Sequence, residues 1–357
     1  KTGVVGVLRG GKPGPVVALR ADMDGLSVKE EVDLPFKSTA MGEYNGRQVP
    51  VMHACWHDMH MSILMGAAEV LTGMKADLAG TVVFIFQPAE EGAPDGEEGG
   101  ADVMVAEGVL DNPKVDAIFG LHVFPFKVGQ MVVRPEGIMA ASDTVQITVR
   151  GRQTHGALPW GGVDPIVVAS QVVLGLQTII SRQSDITRAP AVLTLGIFDG
   201  GVRANIIPDE VKLEGTIRTF DPAMQDAIHE RITRTATKIA ESAGATAEVT
   251  ITRSNPVTWN DRTLTERMAP SLRRVSPAGF EDNTQVTTTA EDFSHYQKKV
   301  PGMFFFLGVT PEGTDPATAP RNHSPRFASD EGALVPGVRA MASLAVDYLS
   351  GSAKASR

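Results

Sequence analysis

The sequence predicts an α/β protein: a mostly parallel sheet covered by helices, interrupted by a smaller ferredoxin-like βαββαβ insert. Three observations carry this reading. Short, continuously apolar β-branched runs alternate with helix-like segments through the first third of the chain, as expected of a parallel sheet buried on both faces. From about Ser142 the order becomes strand, helix, strand, strand, helix, strand, which is the split βαβ arrangement. After Pro256 the first pattern resumes, so the smaller body (142–254) sits as an insertion in a larger one (1–141 and 255–357).

Taken in order, the first body opens with strand-like 3–8 and with VVALR (16–20), which ends in the polar run Ala21-Asp22-Met23-Asp24-Gly25. A helix over 61–74 leads to TVVFIF (81–86), and that strand ends in Gln87-Pro88-Ala89-Glu90-Glu91-Gly92. A helix over 100–107 stops at Gly108, and AIFGL (117–121) is followed directly by His122. In the insert, 144–149, 191–197, 211–218 and 246–252 read as strands, with amphipathic helices over 164–181 and 222–242. The return to the first body brings a helix near 262–274, a strand over 303–307, a Pro/Gly loop to Arg321-Asn322-His323-Ser324-Pro325 and a closing helix over 331–349. In open parallel sheets ligands bind beyond the carboxyl ends of the strands. The acidic and histidine clusters of the first third lie at those ends.

Composition removes several classes of function. A chain of 357 residues with 42% hydrophobic and 21% charged residues can bury a large core and fits two domains better than one. The formal net charge of −9, with no Lys/Arg cluster, leaves no electrostatic footprint for nucleic acid or an anionic membrane. Apolar runs are far shorter than the ~20 residues that span a bilayer. The single cysteine permits no intramolecular disulfide, which favours a reducing, cytoplasmic compartment. The chain opens on Lys1, so export through a leader stays open.

The stretch VMHACWHDMHMSILMG (51–66) concentrates His53, His57, His60, Asp58 and Cys55 immediately before a helix. Cys55 and His57, one residue apart, can converge as thiolate and imidazole on one metal site, with His60 and Asp58 as further ligands or as groups that orient them. The competing reading is a polar loop around a small buried cysteine. The rest of the chain tips the balance, because Glu91, His122 and His323 bring the candidate ligands to five, from four separate segments. Two divalent ions sharing such a set, bridged by a water, would polarise a carbonyl and lower the pKa of that water toward ~7. Glu90, beside Glu91, is placed to serve as general base. A pair of glutamates is usually solvated surface, but this pair follows a buried strand.

The segments ALRADMDGL (18–26), HACWHDMH (53–60), FQPAEEG (86–92), GLHV (120–123), THGALP (154–159), GVDPI (162–166), RANIIPDE (203–210) and RNHSPRF (321–327) resemble the amidohydrolase branch of the aminoacylase/carboxypeptidase metallopeptidases, peptidase family M20, subfamily D. Hippurate hydrolase and indole-acetyl-amino-acid hydrolases are among its members. The resemblance implies a dinuclear enzyme that cleaves the amide of an N-acyl amino acid or small peptide, with the insert acting as lid and as the surface of a homodimer. It carries Cys55, His57, Glu91, His122 and His323 over as metal ligands and Glu90 as catalytic base. Asp24 and Asp58 become groups that buttress the ligands, His155 the donor to the oxyanion, and Asn205 and Arg218 the holders of the substrate carboxylate. The thiolate and imidazoles favour zinc; manganese, nickel and cobalt also serve in related enzymes.

The chain departs from the family at Trp56 and Met59, where glycine is usual, and at Trp160, where histidine is common. Bulky residues at glycine positions are expected to tilt the loop, fill the acyl pocket or weaken a metal. Two other readings stay open: a dipeptidase or aminopeptidase on the same metal core, and a binding protein that has lost catalysis.

Overall fold

The computed structural model describes residues 2–351, which divide into two compact units. One comprises 2–138, Thr258–Gln285 and 292–351; the other comprises Met139–Val257 and Val286–Glu291.

The first unit is built on a seven-stranded sheet in the order Val4–Arg9, Ala79–Gln87, Lys12–Asp22, Ala117–Lys127, Gly302–Thr310, Met131–Val132, Phe280–Glu281. The four strands from Ala79–Gln87 to Gly302–Thr310 run parallel, and the outer neighbours Val4–Arg9 and Met131–Val132 pair antiparallel to them. The parallel strands are buried along most of their length, which explains their unbroken apolar sequences. Two helices, His57–Gly73 and Leu334–Ser350, pack together and supply Ile63, Leu64, Ala340 and Leu344 to one continuous core with Leu19, Phe119 and Phe305. Small residues let them approach closely: a Cβ on Gly66 would lie 2.7 Å from Val338, and one on Gly337 would lie 2.5 Å from Ile63. The helix carrying the histidines is thereby locked to the core.

Two boundaries differ from the sequence expectation in ways that matter for the site. The strand Ala117–Lys127 does not end at Leu121 but runs on through His122, because PheProPhe (124–126) continues the apolar pattern and pairs with Gly302–Thr310. The first helix begins at His57, four residues before the expected start, because Trp56 adopts a left-handed conformation (φ 58°, ψ 39°) that turns the chain directly into it.

The second unit has a four-stranded antiparallel sheet in the order Ala191–Asp199, Glu210–Thr219, Ala141–Arg150, Thr246–Asn255. With helices Pro165–Gln183 and Pro222–Ser242 between its strands, the element order is βαββαβ. Val168, Val172, Leu176 and Ile179 of the first helix and Ile228, Ile232 and Ala236 of the second join Val145, Ile147 and Leu213 in a separate core. Both helices start with an aspartate cap, Asp164 and Asp221, followed by proline at the first helical position. Among the described residues, only Pro165–Gln183 is long and apolar enough by length and composition to cross a membrane, a feature its sequence concealed among short runs.

Candidate metal centre

The site is assembled at the carboxyl ends of the parallel strands of the first unit. Lys12–Asp22 delivers Asp22 and, just beyond, Asp24; Ala79–Gln87 is followed by Glu90 and Glu91; Ala117–Lys127 carries His122. The turn before the first helix brings Cys55 and His57, and the loop after Gly302–Thr310 brings His323.

These side chains converge. Cys55 Sγ lies 3.4 Å from His122 Nε2. His323 Nε2 lies 2.8 Å from Glu91 Oε1. Ligand-type atoms of Cys55, Glu91 and His323 fall within 4.8 Å of one another, as do those of His57, Glu90 and Glu91 and those of Asp22, His57, His60 and His122. The five expected ligands and Glu90 therefore form one cluster.

The tautomers follow from the partners. His57 Nδ1 lies 3.2 Å from Asp24 Oδ1 and donates to it, while its Nε2 is buried, has no hydrogen-bond partner and lies 3.8 Å from Asp22 Oδ2. His122 Nδ1 donates to Val123 O at 2.7 Å, so its Nε2 lone pair faces Cys55. An imidazole tied at one nitrogen and bare at the other is the arrangement of a metal ligand with its orienting partner. His60 differs. Its Nδ1 donates to Asp22 and its Nε2 accepts from Val123 N–H at 2.9 Å, so both nitrogens are used and it cannot ligate. It positions the strand that carries His122.

The electrostatics ask for a cation. Burial, then Glu91 and Glu90, pushes the Cys55 thiol well above its ordinary range. Burial pulls His57 down, but Asp22, Asp24 and Glu91 outweigh it and raise the group to about 9. Burial keeps His122 well below the usual imidazole range, hence neutral and able to ligate. An unpartnered buried imidazole nitrogen among a thiol, carboxylates and a second neutral imidazole fits divalent ions of the zinc or manganese type.

Beneath the ligands lies a polar network the sequence did not disclose. Arg20, fully buried, donates to Asp22 at 2.7 Å, Asp292 at 2.8 Å and Gln87 at 2.9 Å. Gln87 donates to Asp292, and Tyr296 donates to Gln87 at 3.0 Å. Burial opposes ionisation of Asp22, yet His57, His60 and Arg20 hold it well below the usual carboxylate range. The available signal was the i, i+2 spacing of Arg20 and Asp22, which puts both on one face of a strand otherwise apolar.

Other expected site residues fall elsewhere. Asp24 accepts from both His57 and Glu91 N–H, the latter at 2.9 Å. Asp58 does not join the cluster. One residue past His57 on a helix, it points about 100° away, accepts from Met59 N–H at 3.0 Å and lines a separate cavity of about 240 Å³ with Glu30, Phe36 and His53. Met59 is buried in the core rather than at the site. In the second unit, His155 and Asn205 are neighbours: the pairs Thr154–Ile207 and His155–Ile206 form a short antiparallel ladder, and Gly156 N–H donates to Asn205 O at 2.8 Å. His155 Nδ1 accepts from Ala157 N–H at 3.0 Å, so the neutral ring carries its proton on Nε2. Arg218 donates to Thr216 Oγ1 and to Ile217 O, and Trp160 is exposed. His229 is structural, 2.7 Å from Asp143 in the second unit's interior.

The description "Peptidase family M20/M25/M40" matches residues 18–347. The chain is 38% identical to thermostable carboxypeptidase 2 of Saccharolobus solfataricus over 97% of this chain and 84% of that protein. It is 37% identical to an N-acetylcysteine deacetylase of Bacillus subtilis over 98% and 86%. It is also similar to the crystal structure of a dinuclear metal binding peptidase from the M20 family of Bacillus subtilis, with a TM-score of 0.81 and 34% identity over 98% of this chain and 85% of that one. With a family match spanning nearly the whole chain and the ligand cluster in place, the chain belongs to peptidase family M20/M25/M40 and is a metal-dependent hydrolase.

Proposed function

We propose that the protein hydrolyses the amide bond of N-acyl amino acids or small peptides, with Cys55, His57, Glu91, His122 and His323 holding two divalent ions, zinc or manganese before nickel or cobalt. The observation that carries the reading is the set of overlapping groups of ligand-type atoms, Cys55 with Glu91 and His323, His57 with Glu90 and Glu91, and His57 with His122, beside the buried, unpartnered Nε2 of His57. The names of the relatives, a carboxypeptidase and a deacetylase, support this substrate class. When bound, the ions polarise the scissile carbonyl and make water acidic enough to give up its proton near neutral pH.

The chain's own residues do the rest. Glu90 takes the proton from the attacking water as the carbon–oxygen bond forms, and returns it to the leaving nitrogen as the carbon–nitrogen bond breaks. Asp24 fixes the ring of His57. His155, protonated on Nε2, donates to the developing oxyanion, and Asn205 and Arg218 hold the substrate carboxylate through an amide and a planar guanidinium fork. The second unit serves as a lid whose closure excludes water.

A homodimer through the second unit completes the proposal. The edge strand Ala191–Asp199 exposes Val192, Ile197 and Phe198, and the helix Pro165–Gln183 exposes Val167 and, at 71%, Leu174. An open sheet edge beside apolar side chains is a surface proteins cover. Glu90→Gln tests the catalytic assignment: turnover should fall by about 10²–10⁴-fold with metal content unchanged, and retained turnover would remove Glu90 as the base.

A further inference from the structure

Trp56 stands between Cys55 and His57 in a left-handed backbone conformation (φ 58°, ψ 39°) that bulky side chains rarely adopt, and its side chain is only 7% exposed. A strained, buried tryptophan beside a ligand persists only where something holds it. Here the holder is the opposite ligand loop: Trp56 Nε1 donates to Phe327 O at 3.0 Å. Phe327 N–H in turn donates to Ser324 O at 3.0 Å, closing the turn directly after His323. Two further bonds join the same loops, His323 N–H to Ala54 O at 2.8 Å and Asn322 Nδ2 to Cys55 Sγ at 3.5 Å, and Asn322 Nδ2 also donates to Val123 O on the neighbouring strand at 3.2 Å.

His323 needs such ties. Of the five proposed ligands its side chain is the most exposed, at 55%, and its own φ is 70°. Glu91 is the partner of its ring, and among the described residues no hydrogen bond ties that ring to the buried network beneath Asp22. The loop 321–327 is tied at Pro325 and Arg326 to Glu31 and, around His323, to the turn 54–56, where the indole N–H of Trp56 donates to the loop's backbone.

We propose that Trp56 is a positioning residue for metal binding: its indole clamps the loop 321–327 to the turn 54–56 and so aims His323 at the ion it shares with Glu91. This rests on the metal reading given above. The clamp predicts that loss of the indole N–H weakens one metal and not the fold.

The test is zinc titration of the full-length, chelator-treated protein against a chromophoric competitor, with thermal unfolding of each metal-free variant alongside. Trp56→Phe keeps an aromatic ring and removes the donor; it should weaken the weaker zinc by about 10- to 100-fold, the range for loss of an orienting partner, with metal-free stability changed little. Trp56→Gly relieves the backbone and should weaken zinc as well. In a His323→Ala background, Trp56→Phe should have no further effect on zinc, because it acts through that ring. Parent-like zinc affinity in Trp56→Phe, or an equal additional loss in the His323→Ala background, overturns the proposal. Absence of zinc binding by the parent protein would instead overturn the metal reading itself.

Discussion

Asp22→Ala should unfold the protein more than any single loss among the ligands. Asp22 is fully buried and holds Arg20 at 2.7 Å, His60 Nδ1, and His57 Nε2 at 3.8 Å. Removing one member of a buried ion pair strands the other, at about 3–5 kcal/mol. Arg20 keeps Asp292 and Gln87, which places the loss near the lower end, about 3 kcal/mol. For a unit of this size that corresponds to a fall in Tm of roughly 6–12 °C. The assay is urea and thermal unfolding of metal-stripped protein followed by the fluorescence of Trp56 and Trp259, so that metal binding does not mask the loss. Adding Arg20→Met together with Asp292→Asn removes both the stranded guanidinium and the carboxylate it pairs with, and the triple variant should recover at least ~1 kcal/mol relative to Asp22→Ala. A single variant within about 0.5 kcal/mol of the parent, or a triple variant weaker than Asp22→Ala, would refute the account of this network.

Three further outcomes follow from the geometry. His155→Ala should lower kcat by about 10²–10³-fold with unchanged Tm, because the side chain is exposed and bonds only locally; steady-state kinetics beside a thermal melt reads both. Zinc binding should release protons: near pH 7 the metal-free Cys55, raised by burial, and His57, raised to about 9, are both protonated. The apparent affinity should therefore rise with pH, and its slope should flatten above about 9 as His57 no longer has a proton to give up; calorimetry in buffers of different ionisation enthalpy measures the release. Ile197→Lys, on the exposed edge strand, should convert a dimer to a monomer by light scattering while leaving the monomer folded.

Much of the candidate site could be read from the sequence because several of its candidate ligands follow apolar runs that are unmistakable, even where, as at His122, the strand continues past the run. Glu90-Glu91 after TVVFIF and His122 after AIFGL are local signals, and local signals survive in one dimension. What was not legible depends on side chains meeting across the fold. Arg20 and Asp292 are 272 positions apart and meet only because the residues just before the short helix Ser294–Gln297 pack against the strand Lys12–Asp22 in the fold. For His60 the sequence left two roles open, ligand or orienting group, and only the fold, in which Asp22 and Val123 N–H occupy both its nitrogens, separates them. The resemblance assigns Asp58 to buttress the ligands; in the fold its carboxylate accepts from Met59 N–H and lines the cavity with Glu30, Phe36 and His53, a placement the sequence does not disclose. Trp56 marked a departure in sequence; only the structure gave its indole a partner.

The most direct measurement is the metal content of the purified protein by elemental analysis, paired with amine release from a panel of N-acyl amino acids and unblocked dipeptides. The account predicts about two divalent ions per chain and faster release from the acylated set. A chain that stays metal-poor after zinc or manganese is supplied, and that releases no amine, would contradict it.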